Sequence, residues 1–192
     1  MLKKLFILIF ISLLFTSCWS DIEDTELSEN SIKKTGLRNY PWKDFLIKIP
    51  VAWNVITDEK EVIPSPSSWK LELAITSSET QNWFANNLVI LSQELDSFTT
   101  SVNYSITNNV WAENDYLNYN KNFWKEFYFD DWEKSMIYNF EAKYSAETPI
   151  INFLQTAHIC ENKKAFFITI AIPINEKNTI KYEKMIATFK CK

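Results

Sequence analysis

The front half of the chain alternates between apolar and polar residues, the pattern of strands that bury one face. This alternation covers residues 44–50, where the strand ends at Pro50, and residues 70–76. A shorter strand is predicted over residues 53–58. The run 88–91 is apolar at every position, which is typical of a central strand that is buried on both faces.

The back half of the chain predicts two helices separated by three strands. Aromatic residues at helical spacing predict a helix over residues 112–125. Alternation over 136–144 and 151–159, followed by the apolar run 165–172, predicts three antiparallel strands. Apolar residues recur every three or four positions over 180–189 and predict a closing helix. The order of elements defines an α+β fold, an antiparallel β-sheet flanked by helices.

The first eighteen residues have the features of an export signal. A short basic start precedes the apolar run 5–15, which would form a helix of about 16 Å, half the thickness of a membrane core. This length is typical of a signal peptide. The segment 14–18 resembles the bacterial lipobox, in which the cysteine is diacylated and becomes the first mature residue. We expect residues 1–17 to be a lipoprotein signal peptide; a plain secretory signal with an incidental Cys18 is the alternative.

Acylation of Cys18 would anchor the mature protein outside the cytoplasm, on the cytoplasmic or the outer membrane. Residues 18–39 are polar, with isolated apolar positions that bury no face, and predict a flexible tether before a domain over 40–192. About 20 flexible residues reach about 25 Å. The net charge of −4 becomes −6 once the two signal lysines are removed, so we expect a membrane partner through the lipid alone and no nucleic acid.

Glycine is scarce in this chain and tryptophan is abundant. The sequence has one glycine and eight tryptophans, whereas average composition would give about 13 glycines. Several tryptophans lie in polar, turn-like segments, where glycine is favoured because it adopts positive φ without steric cost. We hypothesise that these positions are glycines encoded by UGA; an AT-rich genome with few glycine codons is the alternative. The positions are Trp19, Trp42, Trp69, Trp83 and Trp132.

The segment Phe45–Trp53 has the pattern F-x-I-x-I-P-x-x-W and resembles the opening of PsbP-like and DcrB-like domains. Residues 153–156, 165–169 and 182–189 resemble the hairpin and the terminal helix of the same family. The resemblance covers about residues 43–190. It implies the Mog1/PsbP-like fold, an antiparallel sheet with helices on both faces.

The resemblance also implies a function. Members of the family are mostly extracytoplasmic accessory or binding proteins, many of them lipid-anchored, and plant members help a photosystem to retain calcium and chloride. No family metal site is matched here, so we expect no metal and no cofactor. Pro50 and Trp53 belong to the packing motif, with Trp53 in the core. We expect a non-catalytic lipoprotein that supports an envelope or membrane protein complex.

Two cysteines remain besides Cys18, and the implied fold brings them near one another. Cys160 precedes the hairpin turn 161–164, and the chain then runs about 26 Å along a strand and about 18 Å back along the closing helix to Cys191. Disulfides persist outside the cytoplasm. We expect a disulfide between Cys160 and Cys191; two buried thiols are the alternative.

Few residues suggest catalysis. The sequence contains no Gly-rich phosphate loop and no HExxH, CxxC or GxSxG motif. Alternation places His158 on the face of its strand opposite the core, where a surface or structural role is expected. Asp130 and Asp131 predict a hairpin turn, and Glu72 is expected on a solvated face. The competing hypothesis is a small-ligand receptor or hydrolase, whose pocket of a few hundred Å³ would be rimmed by tryptophan and tyrosine.

Overall fold

The computed structural model describes residues 36–56, 68–81, 84–161, 163–176 and 178–192. Within these ranges the chain forms ten strands and two helices, in the order β1–β5, α1, β6–β9, α2, β10. The predicted signal peptide and Cys18 lie outside the described residues. The first strand begins at Leu37, three residues before the predicted start of the domain at residue 40, because the chain there already pairs with the second strand.

Seven antiparallel strands form the larger sheet, in the order β3-β4-β5-β9-β8-β7-β6. Nearly every side chain of β8 and β9 is buried, as expected for strands in the middle of a sheet that is covered on both faces. The strands are β3 Trp53–Val55, β4 Lys70–Gln81, β5 Phe84–Glu94, β6 Leu117–Tyr128, β7 Lys134–Lys143, β8 Ile151–Ile159 and β9 Lys164–Pro173.

The smaller sheet and helix α2 cover one face of the larger sheet, and helix α1 covers the other. The smaller sheet has the order β1-β2-β10, all antiparallel. This arrangement confirms the predicted α+β fold with helices on both faces of an antiparallel sheet. The remaining elements are β1 Leu37–Pro41, β2 Phe45–Pro50, α1 Ser101–Asp115, α2 Ile180–Ala187 and β10 Lys190–Cys191.

The main core lies between β2, α2 and the larger sheet. Alternation along β2 makes Phe45, Ile47 and Ile49 fully buried. The Phe45 ring lies 5.3 Å from that of Phe166 on β9 and 4.9 Å from that of Phe189, which follows α2. Burial of each such side chain contributes about 1.5–3 kcal/mol. These aromatic contacts hold the end of the chain against the sheet.

The predicted helix over residues 112–125 is wrong, because most of that segment is strand β6. The prediction rested on the helical spacing of Tyr116, Tyr119 and Phe123. In the structure Tyr116 caps α1, Tyr119 packs on the α1 side of the larger sheet, and Phe123 packs against the main core on the other side, because β6 has a register shift between the last two. The actual helix, α1, packs on β7 and β8 through small polar side chains and therefore has no apolar stripe. For example, the Ser105 hydroxyl donates to the Met136 carbonyl at 2.7 Å.

Two hairpins of the larger sheet turn in the same way, with one residue of positive φ before the returning strand. In the β6–β7 turn, the Trp132 N–H donates to the Phe129 carbonyl at 2.9 Å, and the Phe129 N–H donates to the Glu133 carbonyl at 3.0 Å. This is a type I turn with a G1 bulge, which favours glycine at the residue of positive φ. That residue is Trp132, with φ of 70° and 85% exposed, and its equivalent in the β8–β9 turn is Lys163, with φ of 63°.

Trp42 and Trp69 do not share this turn geometry. Neither has a positive φ. The Trp42 ring stacks on Tyr40 with centroids 6.0 Å apart, and the Trp69 ring lies 5.2 Å from that of Phe167. Among the described tryptophans of the recoding hypothesis, the backbone argument therefore applies to Trp132 alone; Trp19 and Trp83 lie outside the described residues.

The substitution Trp132→Gly is expected to raise the free energy of unfolding by about 0.5–1 kcal/mol, because it removes the clash of a Cβ atom at positive φ and loses no buried surface. Urea denaturation measures the change. Trp132→Ala is the matched control, since it removes the same ring but keeps the Cβ atom. An equal gain from both variants would mean that the exposed indole, and not the backbone, is unfavourable there.

Candidate functional site

A cavity of about 390 Å³ lies between α1 and the larger sheet. Trp69, Tyr116 and Phe167 contribute aromatic walls, as the hypothesis of an aromatic-rimmed pocket requires. Its size is within the usual range for small-molecule sites. Several polar side chains also line it: Gln93, Asn108, Asp115, Gln155 and Thr169.

Gln155 lies in the middle of β8, and its side-chain carbonyl has no hydrogen-bond donor among the described residues. Its Nε2 donates to Thr169 Oγ1 at 3.2 Å and to Tyr116 Oη at 3.4 Å. Its Oε1 is buried and accepts no hydrogen bond from the described residues. A buried acceptor without a donor costs about 1–3 kcal/mol, so this oxygen is a ready acceptor for an N–H or O–H group of a ligand.

The ionisable groups in the wall of this cavity favour binding over proton transfer. Burial raises the pKa of Tyr116 to about 12, although the hydrogen bond from Gln155 acts in the opposite direction. The phenol therefore stays protonated at neutral pH. Asp115 is the one carboxylic acid among the described lining residues, so this wall lacks the paired acid and base of a hydrolase.

A second group of polar residues meets where β8 and β10 end. The structure joins Cys160, just after β8, to Cys191 of β10 in a disulfide whose Cα atoms are 5.8 Å apart. The His158 imidazole lies beside it, with Nδ1 3.4 Å from Cys191 Sγ. A cavity of about 670 Å³ opens along this group. The fold thus brings together at this corner two cysteines that are 31 residues apart in the sequence.

The prediction that His158 faces away from the core is wrong. Both faces of β8 are buried, and His158 shares its face with Leu154, which lies in the main core. The imidazole is 3% exposed and packs between the rings of Phe129 and Phe189, with centroids 4.6 and 5.2 Å away. Alternation identified two faces of this strand correctly, but both of them are covered, and the larger core lies on the histidine side.

Asp131 has a specific partner that sequence reasoning missed. Asp130 and Asp131 lie in the predicted β6–β7 turn, where Asp131 Oδ1 accepts the Glu133 N–H at 3.2 Å. The other oxygen, Oδ2, lies 3.0 Å from His158 Nε2. The two residues are 27 apart in sequence, so only the pairing of β7 with β8 brings the turn over the end of the neighbouring strand.

Glu72 is buried, which corrects the expectation of a solvated position. Its side chain is 2% exposed and forms ion pairs with Lys164 and Lys70, each at 3.0 Å. It also accepts hydrogen bonds from Trp42 Nε1 at 3.1 Å and from the Ser92 hydroxyl at 2.8 Å. Burial alone would raise the pKa of the Glu72 carboxyl, but these donors outweigh burial and lower it to about 2.

The packing motif Pro50–Trp53 lies at the edge of the main core. Pro50 ends β2, and Trp53 begins β3 with 7% of its surface exposed. The Trp53 ring lies 6.4 Å from that of Tyr182 on α2, and its carbonyl accepts a hydrogen bond from the Arg38 guanidinium at 3.4 Å. These contacts give Trp53 a packing role between the larger sheet and α2.

Neither of the described helices is long and apolar enough to span a membrane. No protein-family model matches the chain, and no curated protein is significantly similar to it in sequence.

Several solved structures align with this chain to different degrees. Cyanobacterial PsbP (CyanoP) from Synechocystis sp. PCC 6803 aligns with a TM-score of 0.55 at 12% identity, covering 82% of this chain and 94% of that one. The Ran-binding protein Mog1p of Saccharomyces cerevisiae aligns at 0.45 with 9% identity over 81% and 96% of the two chains. A protein of Bacteroides thetaiotaomicron VPI-5482 aligns at 0.42 with 11% identity over 83% and 49%. The likeness to CyanoP shows that this chain has the PsbP-like fold that its sequence motif implied.

Proposed function

We propose that the protein is a lipid-anchored, extracytoplasmic accessory protein that binds and stabilises an envelope protein complex without catalysing a reaction. The lipobox-like segment that ends at Cys18 supports the anchor, and the PsbP-like fold supports the accessory role. The observation that carries the binding role is an exposed aromatic surface on the outermost strand of the larger sheet.

This surface, the β6 edge, consists of residues 123–128. Within the described part of the chain, β6 pairs with β7 on one side and with no strand on the other. Trp124 and Tyr128 lie on one face of the strand and are 61% and 50% exposed. On the other face, Phe127 is buried in the main core. Aromatic side chains that are exposed on a rigid strand are typical of protein interfaces.

The partner that fits the β6 edge is an extended segment of another protein. The outer backbone groups of an edge strand can pair with a further strand, and exposed aromatic side chains then supply apolar contact. Residues 123–128 pair with β7 without a register shift, whereas the first half of β6 contains two. The regular half is therefore the part that presents evenly spaced donors and acceptors.

The anchor is tested by metabolic labelling with palmitate in cells that export the full chain. Wild-type protein is expected to carry the label, and globomycin, which blocks lipoprotein signal peptidase, is expected to leave a larger precursor. Cys18→Ser should abolish the label because the acylated thiol is missing. Cys160→Ser is the matched control and should be labelled like the wild type. Label on the Cys18→Ser product would contradict the anchor.

The β6 edge is tested with a photocrosslinking amino acid at position 124 of the full chain in native membranes. Val110 of α1 is the matched position, because it is exposed to the same extent, 61%. A discrete crosslinked product is expected from position 124 and not from position 110. Unlabelled wild-type protein should compete for it, and the double variant Trp124→Ala, Tyr128→Ala should compete at least about tenfold less well.

The same experiment separates this proposal from a second candidate function, the binding of a small ligand. Gln155 Oε1, which accepts no hydrogen bond from the part of the chain that the structure describes, favours that candidate. The ligand would be a neutral or cationic molecule with an N–H or O–H donor and an apolar body. Gln155→Leu should compete like the wild type if the β6 edge carries the function. Loss of competition in Gln155→Leu alone would assign the function to the cavity instead.

A further inference from the structure

The corner that holds the disulfide contains three ligand atoms of the kinds that bind zinc. His158 Nδ1, Cys160 Sγ and Cys191 Sγ all lie within 4.8 Å of one another. The histidine and Cys160 are buried, and Cys191 is half-buried at the cavity. Two thiolates with one imidazole are a donor set that favours Zn²⁺ and similar soft or borderline cations over Ca²⁺ or Mg²⁺.

The histidine is already oriented for such a role. Asp131 Oδ2 lies 3.0 Å from His158 Nε2, and an ionised carboxylate can only accept, so Nε2 carries a proton. Nδ1 is then the ring atom that faces Cys191 Sγ, at 3.4 Å. A nitrogen and a sulfur bound to one tetrahedral zinc are about 3.5 Å apart, by the usual bond lengths. A carboxylate that holds the far nitrogen of a ligating histidine is a common feature of zinc sites.

We propose that His158, Cys160 and Cys191 form a site for Zn²⁺ or a similar cation when the disulfide is open, with Asp131 as the residue that positions His158. The cavity beside them leaves a fourth coordination position for a water molecule or a ligand. The disulfide and the metal site exclude each other, because both use the same two sulfur atoms. The corner is therefore a redox-gated metal site.

A dithiol reductant can convert the disulfide form of the site into the dithiol form that binds the metal. A dithiol reductant transfers two electrons and two protons to the bridge, which breaks the S–S bond, leaves two thiols and turns the reductant into a disulfide. Binding of one Zn²⁺ then displaces both thiol protons into solvent. A chain whose bridge has not yet formed would reach the same metal-bound state without a reductant.

Cobalt titration of the full chain in detergent tests the site. The bridge is opened with a phosphine, the phosphine is removed, and Co²⁺ is added under anaerobic conditions. One equivalent is expected to give thiolate-to-cobalt charge-transfer bands and the intense visible bands of tetrahedral Co²⁺, which one equivalent of Zn²⁺ abolishes. Oxidised protein should give none. Equal spectra from the oxidised and the reduced chain would overturn the proposal.

A conservative pair of variants tests the geometry without removing a ligand. Asp131→Asn is expected to weaken Co²⁺ affinity about 10–100-fold, which is the usual effect of losing a carboxylate that holds the far nitrogen of a ligating histidine. Asp130→Asn, the exposed neighbour in the same turn, should bind like the wild type. His158→Gln should also shift the ligand-field bands, because it replaces the nitrogen ligand. Unchanged affinity in Asp131→Asn, or equal losses in both aspartate variants, would contradict the assignment.

Discussion

The arrangement of the two sheets depends on a carboxylate that is buried and fully paired. Glu72 on β4 meets Lys164, the first residue of β9, and Lys164 also pairs with Asp44 just before β2 at 2.6 Å. Burial acts to lower the pKa of Lys164, but the hydrogen bonds and charges of Asp44 and Glu72 together outweigh burial and raise this pKa. We call the paired residues Asp44, Glu72 and Lys164 the Glu72 joint. A buried charge without a partner is strongly unfavourable, so β2, β4 and β9 must keep their register for these residues to stay paired.

The Glu72 joint also helps to position the disulfide and His158. Lys164 closes the β8–β9 turn, whose first residue is Cys160, so the position of the turn sets the position of the disulfide. On the other side, the Lys192 N–H donates to the Asp44 carbonyl at 3.0 Å, which fixes the end of the chain beside Cys191. The contacts around His158 therefore involve segments that these polar contacts and the aromatic contacts of Phe45, Phe166 and Phe189 hold together.

The sequence predicted those strands and helices in which apolar residues recur with a single spacing. The alternation of β7 and β8, the apolar β9 and the stripe of α2 were each visible in the chain, and the F-x-I-x-I-P-x-x-W segment implied the PsbP-like fold that the likeness to CyanoP confirms. Helix α1 was missed because its buried face is polar. Strand β6 was taken for helix because Tyr116, Tyr119 and Phe123 have helical spacing, although Tyr119 and Phe123 pack on opposite faces of the sheet. The burial of Glu72 and the Asp131–His158 contact were invisible, since each depends on pairing between distant strands.

The pH dependence of unfolding tests most directly whether the Glu72 joint holds the sheets together. The ordinary pKa of 4.5 falls to about 2 in the folded state, so the joint stabilises the fold fully above about pH 4.5 and loses that contribution as the pH falls towards 2. Glu72→Gln should lower the free energy of unfolding by about 3 kcal/mol at pH 7 and remove this part of the pH dependence. Glu126→Gln, in a surface pair with Lys134, should behave like the wild type. If Glu72→Gln kept the wild-type stability and acid profile, the account of the joint would be contradicted.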